Sequence, residues 1–287
     1  MDISWSSLFS PLPVFIIALC SLLYALLILV SCCPWMRLVG LMTHQEERIR
    51  ASSKEFLRVF TKSNIMKYIP GNVFQYVGRN EIATVLDLSH IQVAGATVTE
   101  MILMALGAGI LSVLLLGHYT ISYFYRRFGA LLYLFLAAGT ILAGALFAVF
   151  RGRIKKELEN RQIDLRMGAL LSGISFCFAF YIMAFLYGGV LFIIIMKLCG
   201  GFSLNLHSLR LLMGTYSLSW VAGYITPGAP GGVGIREVIM TAVLGGNKFT
   251  TDEIIIQASI LFRLVTVLGD LIAFVVAQGI YQIQKGR

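Results

Sequence analysis

Residues 224–237 read Tyr224-Ile225-Thr226-Pro227-Gly228-Ala229-Pro230-Gly231-Gly232-Val233-Gly234-Ile235-Arg236-Glu237. Proline ends an incoming helix, because it lacks an N–H and crowds the preceding turn, and it is tolerated at the start of an outgoing one. The four glycines let the backbone turn sharply and approach a ligand closely. The surrounding residues 209–246 are moderately apolar but contain no uninterrupted run that would cross a bilayer. This predicts a helix that enters the membrane, breaks and returns to the side it came from. Such backbone survives at membrane depth only where protein or a watery cavity satisfies its polar groups.

An earlier segment, residues 63–90, carries the same signature: Tyr68-Ile69-Pro70-Gly71, then Gly78-Arg79. Arginine follows proline by nine residues in both copies, and Pro70, Gly71 and Arg79 recur 157 residues later as Pro227, Gly228 and Arg236. Only three of the six prolines precede a glycine, and two of those three carry the arginine; the argument for a repeat rests on the surroundings of the two copies.

Working outward, five apolar stretches flank the broken segments: 12–33, 92–117, 128–150, 168–196 and 253–283. Each reaches the ~20 residues that a helix needs to span the hydrocarbon core. The whole chain of 287 residues is 58% hydrophobic and 13% charged, with mean hydropathy +0.83. A soluble enzyme, a disordered chain and a disulfide-stapled secreted domain all need other compositions. The first stretch exceeds the ~7–15 apolar residues of a signal-peptide core and has no basic residue before it, so it is expected to be an uncleaved anchor.

The expected fold class is therefore all-α: a polytopic helical membrane protein, one transmembrane domain over residues 1–287, with about five full spans. Each broken segment follows one span and precedes another, giving a first half at 12–117 and a second at 168–283. The unmatched span 128–150 reverses the sense of everything after it, which makes the halves inverted-topology repeats, each with a Pro/Gly-broken re-entrant hairpin. Proteins built this way place a substrate near the midplane, between discontinuous helices of the two halves.

Basic residues set the orientation. Loop 34–67 holds Arg37, Arg48, Arg50, Lys54, Arg58, Lys62 and Lys67; loop 151–166 holds Arg151, Arg153, Lys155, Lys156, Arg161 and Arg166; the tail has Lys285 and Arg287. With the N-terminus outside and the C-terminus cytoplasmic, all of these lie inside, and Arg126, Arg127, Lys197, Arg210 and Lys248 remain outside. The same rule accounts for the net charge of +9 without nucleic acid as a partner. The polar stretch 37–62 is expected to be an amphipathic helix on the membrane surface or a plain loop.

The chemistry-bearing residues follow from this frame. A half-helix opening at Gly231, Gly232 and Gly234 would aim its N–H groups and positive dipole end at an anion, and Arg236 would add a full charge; a tight turn at a wet surface would use the same residues. Arg79 could take a phosphate bidentately or snorkel to the boundary, with Asn72, Gln75 and Tyr76 beside it along a polar path. Glu100 is the sole charge in 92–117, while Arg263 and Asp270 lie seven apart on one face of the last span. Ionisable groups at this depth cost at least ~2.5–3.5 kcal/mol and need partners or water. Arg263 is expected to pair with Glu237 or Glu100, and Asp270 to hold an arginine, either as scaffold or as transport path.

Other features ask for no chemistry. Gly107, Gly109, Gly139 and Gly144 suit close helix packing, and Phe176 to Phe185 suit lipid or core. The cysteines Cys20, Cys32, Cys33, Cys177 and Cys199 read as buried small hydrophobes. No HExxH, CxxC or nucleotide P-loop occurs, so no metal or cofactor is expected.

With these motifs in this order, the chain resembles the lysylphosphatidylglycerol synthase transmembrane region, also described as a flippase-like domain. The similarity runs over most of the chain and is carried by Lys67-Tyr68-Ile69-Pro70-Gly71…Gly78-Arg79, Glu100, Thr226-Pro227-Gly228…Gly231-Gly232-Val233-Gly234-Ile235-Arg236-Glu237 and Arg263. It implies a multi-pass protein of a prokaryotic cytoplasmic (inner) membrane. In bifunctional members this region moves aminoacylated phosphatidylglycerol between leaflets, while a cytoplasmic acyltransferase-like domain makes it. That second domain is not present after the last span, so synthase activity is not expected. Stand-alone members are similar to proteins found beside glycosyltransferases and implicated with polyprenyl-phosphate-linked sugars.

The function expected is a flippase for a phosphate-containing anionic lipid, with Arg79 and Arg236 holding the phosphate in turn and Glu100, Glu237, Arg263 and Asp270 as polar lining. A glycosyltransferase or lipid synthase in the same membrane is the expected partner. Two other classes compete: an integral-membrane lipid-phosphate transferase with Glu237 or Asp270 as base, and a non-transporting partner of a glycosyltransferase.

Overall fold

The computed structural model describes residues 10–43, 51–69, 74–117, 167–200, 202–226, 230–247 and 249–285. Among them the protein is all helical, and four helical stretches are long and apolar enough to cross a membrane: Pro11–Leu41, His90–Leu116, Leu171–Cys199 and Asp252–Ile283. They coincide with four of the five expected spans. The fifth, 128–150, lies outside the described residues, as do Arg126, Arg127, the 151–166 loop, Lys248 and Arg287.

The first span is two helices, α1 (Pro11–Val30) and α2 (Cys32–Leu41), joined at Ser31. The Ser31 hydroxyl donates to the Leu27 carbonyl at 2.7 Å, and Pro34 sits in the first turn of α2, where its missing N–H costs nothing. Cys33 is exposed, against expectation, while the other four cysteines are buried; all five are free thiols.

No helix spans 37–62, nor is the stretch a plain loop. Trp35, Leu38 and Val39 of α2 are fully buried. Helix α3 (Ser53–Ile65) starts afresh at a capping box in which Ser52 and Glu55 satisfy each other's backbone N–H groups. Phe56, Val59 and Phe60 then bury one face of α3, which packs against the last helix. Arg58 stacks on the Tyr281 ring at 4.1 Å and donates to Gln278 at 3.2 Å. The first broken segment thus begins at Ser53, ten residues before the expected start at 63.

A 3₁₀ turn (Met66–Tyr68) follows α3 and ends at the extended Ile69; α4 (Phe74–Ile82) comes next. Ser89 and Gln92 form a second capping box that opens α5 (His90–Leu116). Helix α6 (Met167–Cys199) is a full span. Then α7 (Leu206–Ile225), the glycine loop, α8 (Ile235–Met240) with a π turn (Thr241–Gly245), and α9 (Asp252–Lys285) complete the order.

Helix α7 has 20 residues, enough to cross at ~1.5 Å per residue, yet its composition is too polar for lipid. Thr215, Ser217 and Ser219 are fully buried, each hydroxyl donating to a carbonyl of its own preceding turn. Packed between α5, α6 and α8, α7 faces protein, which is why hydropathy alone does not mark it.

Close packing falls on other glycines than those expected. A Cβ on Gly109 would meet nothing within 4 Å and one on Gly107 only ordinary contacts, while Gly139 and Gly144 lie outside the described residues. Gly269 of α9 is tight against the backbone of another span. Its Cβ would sit 2.9 Å from the Ser21 carbonyl oxygen and 3.1 Å from the Ala25 nitrogen, both α1 backbone that cannot swing aside. Gly269→Ala should therefore part α1 from α9 at a cost of about 1–3 kcal/mol, read as a lowered unfolding midpoint in detergent. Gly109→Ala should be neutral or raise the midpoint, since it only removes backbone freedom.

Candidate functional site

A cavity of about 240 Å³ lies where the two broken segments meet α1, α5, α6 and α9. The breaks are in contact: Tyr76 meets Tyr224 edge-on with ring centroids 6.4 Å apart, and a Cβ on Gly231 would lie 3.9 Å from Tyr68 Cε1. Aromatic side chains dominate the wall, with Trp220 stacked on Tyr224 at 4.6 Å. Arg79, Glu100, Gly231, Arg236, Glu237 and Arg263 all line it. Tertiary folding therefore brings together residues spread over almost two hundred positions.

Arg79 is 4% exposed and fully engaged. Its Nη1 pairs with Glu100 Oε2, its Nε donates to Ser63 Oγ at 3.1 Å, and the guanidinium lies 4.6 Å from the Phe60 ring and 5.1 Å from Trp35. Glu100 also accepts from the Tyr181 hydroxyl at 3.3 Å. Arg79 does not snorkel: it is a desolvated cation held by a carboxylate and two aromatic faces.

Asp270 is 1% exposed and holds a lysine, not the expected arginine. Lys67 Nζ lies 2.7 Å from Oδ2, which also accepts from the Tyr68 hydroxyl, and Asn64 Nδ2 donates to Oδ1 at 2.7 Å. These three donors all come from the end of α3 and its 3₁₀ turn, so Asp270 fastens the first break to α9. Asp270→Ala should cost about 2 kcal/mol or more in unfolding experiments, because it leaves Lys67 without its anion. The loss stays below that of a fully buried pair, since the Lys67 side chain keeps 19% exposure to water.

The second break is organised by its glycines. Gly231, Gly232 and Gly234 have φ of 57°, 75° and 82°, a region that side chains with a Cβ rarely adopt. Gly232 also passes Gly223 of α7 so closely that a Cβ on Gly223 would sit 3.1 Å from Gly232 Cα and 3.1 Å from Arg236 Cγ. This crossing sets the direction of Arg236. A half-helix does open after Gly234, as expected: α8 covers six residues and runs directly into the π turn; with so short a regular stretch, the directed positive feature is the arginine itself.

Among the described residues Arg236 makes no hydrogen bond or ion pair, and its Nε is buried without a partner. Neighbouring Glu237 has its Oε2 in the same condition, while its Oε1 lies 3.8 Å from Arg263 and 3.5 Å from Ser259 Oγ. Arg263 donates weakly to the Gly231 carbonyl at 3.4 Å and so ties α9 to the loop. The expected Arg263–Glu237 pairing is thus present but long.

Of the candidate residues, Pro70, Gly71, Asn72, Pro227 and Gly228 lie outside the described residues. Gln75 and Tyr76 reach the cavity as anticipated. Sequence reasoning missed Tyr181, Asn64, Tyr24, Tyr216 and Trp220, all of which line the cavity. Tyr181 falls within the apolar stretch Phe176 to Phe185. Its hydroxyl, one polar atom in a run of Phe, Met and Leu, was the available signal, because a buried tyrosine needs a partner.

Comparison with protein-family models, with curated proteins and with solved structures finds no match for this chain.

Proposed function

We propose that this helical membrane protein is a flippase of the lysylphosphatidylglycerol synthase transmembrane region family, moving a phosphate-containing anionic lipid between leaflets of a prokaryotic cytoplasmic membrane. The observation that carries this reading is Arg236. A guanidinium on the wall of an interior cavity, its Nε buried and unpartnered, is a cost to the fold unless something anionic arrives. The glycine loop beside it leaves room for that approach. Arg79 has the same place in the first sequence copy, but Glu100 already occupies it. The proposed division of labour is therefore Arg236 as phosphate receptor and Arg79 as scaffold, in place of two arginines used alternately.

The packing supports two inverted halves. Helix α3 of the first broken segment lies against α9, the span that closes the second half; α7 of the second lies against α5, which closes the first. Likewise α1 lies on α9 and α6 on α5. Such reciprocal exchange fits a pseudo-twofold axis through the cavity, with the re-entrant segments meeting at the midplane and the termini oriented N-outside and C-inside.

The test is leaflet exchange in liposomes carrying the purified protein and fluorescent phosphatidylglycerol, its lysyl derivative or a polyprenyl-phosphate sugar. Dithionite should quench close to all of the transported lipid, against about half in protein-free vesicles, and the recovered lipid should be chemically unchanged. Absence of exchange for every lipid in folded protein would defeat the flippase reading; a modified lipid would point to a transferase.

A further inference from the structure

We infer that the cavity is matched to a ligand of one negative charge: a phosphodiester whose head group is a neutral polyol or sugar. This deepens the flippase reading and rests on the Arg236 site proposed there. Among the described residues four cations converge at the cavity, Lys67, Arg79, Arg236 and Arg263, against three acids. Lys67 takes Asp270, Arg79 takes Glu100, and Arg263 takes Glu237. Arg236 is left over, so among the described residues one positive charge is uncompensated.

Arg236, Glu237 and Arg263 are half-buried; in such a partly desolvated site an uncompensated charge is still costly, so the ligand that restores neutrality is a monoanion. A phosphodiester supplies one charge at neutral pH. A phosphomonoester, with a second pKa of about 6, supplies nearly two and would leave one buried negative charge unmatched. A lysyl head group adds two cations to the phosphate and would raise the positive excess.

The second half of the inference comes from Glu237. Its buried Oε2 is an acceptor without a donor, one residue from a donor without an acceptor. One ligand satisfies both if it presents a phosphate oxygen to Arg236 Nε and a hydroxyl to Glu237 Oε2. Ser259 and the aromatic wall complete a pocket suited to an uncharged, hydroxyl-rich group. The shared chemistry has two natural sources, a glycerol-headed phospholipid and a polyprenyl-phosphate-linked sugar.

Calorimetric titration of the purified protein in nonionic detergent at about pH 8 tests this with four probes: dihexanoyl phosphatidylglycerol, citronellyl-phosphoryl-glucose, dihexanoyl phosphatidic acid and dihexanoyl lysylphosphatidylglycerol. One or both of the first two should bind at least tenfold more tightly than the last two, and whichever of the pair binds better names the source. Glu237→Gln frees Arg263 and raises the excess to two charges, so it should shift the ratio of diester to phosphatidic acid affinity by at least tenfold toward the monoester. Phosphatidic acid or the lysyl lipid binding wild type as tightly as the best diester overturns the inference and leaves the phosphate site standing. An unchanged ratio in folded Glu237→Gln overturns it as well. No binding by any probe overturns the phosphate site and the inference together.

Discussion

Glu100→Ala should be among the most destabilising single substitutions in the protein, costing about 3–5 kcal/mol. The carboxylate it removes is the anion of a pair in which both side chains are only 5% exposed. Arg79 would remain in the core, against Phe60 and Trp35, with a full charge and no counter-ion. Tyr181 would lose its acceptor in the same step. The double variant Arg79→Met/Glu100→Leu should recover most of the loss, because two apolar side chains of similar volume remove both desolvation penalties. Denaturant titration in mixed micelles checks this: a near-neutral Glu100→Ala would mean that water or another anion reaches Arg79 freely, and Arg79 would then return as a rival to Arg236 for the phosphate.

Arg236→Ala should do the opposite. It removes a cation that the fold leaves uncompensated, so stability should hold or rise, while lipid exchange falls at least thirtyfold, about 2 kcal/mol. Arg236→Lys keeps the charge but not the planar two-pronged donor, and should retain only part of the rate. The contrast between the two arginines is the informative part. Equivalent by sequence position, they should separate into one variant that loses stability when its partner is cut and one that loses transport alone. Normal exchange by Arg236→Ala would remove Arg236 from the mechanism.

The sequence by itself determined that this is a helical membrane protein, because runs of twenty or more apolar residues have no other stable fate. It also marked both breaks, since Pro-Gly is a local instruction to the backbone that needs no tertiary context. The acids and arginines were legible as a set for the same reason: an ionisable group in an apolar span is conspicuous wherever it finally sits.

Apart from Arg263 with Glu237, the pairing was not legible. Asp270 takes Lys67, Asn64 and Tyr68 from more than 200 residues away, and nothing in either segment encodes the other's identity. Helix α3, read as surface or loop from its charges, enters the core because Phe56, Val59 and Phe60 share one face, a face whose value depends on α9 being there to receive it. Which arginine is neutralised and which is left free is the same kind of fact. Both follow the proline of a Pro-Gly pair by nine residues, and only the packing of α5 beside α4 gives Arg79 the carboxylate that Arg236 lacks. Local geometry is written in neighbouring residues, whereas electrostatic balance at a buried site depends on which distant side chains the fold brings within a few ångströms of it.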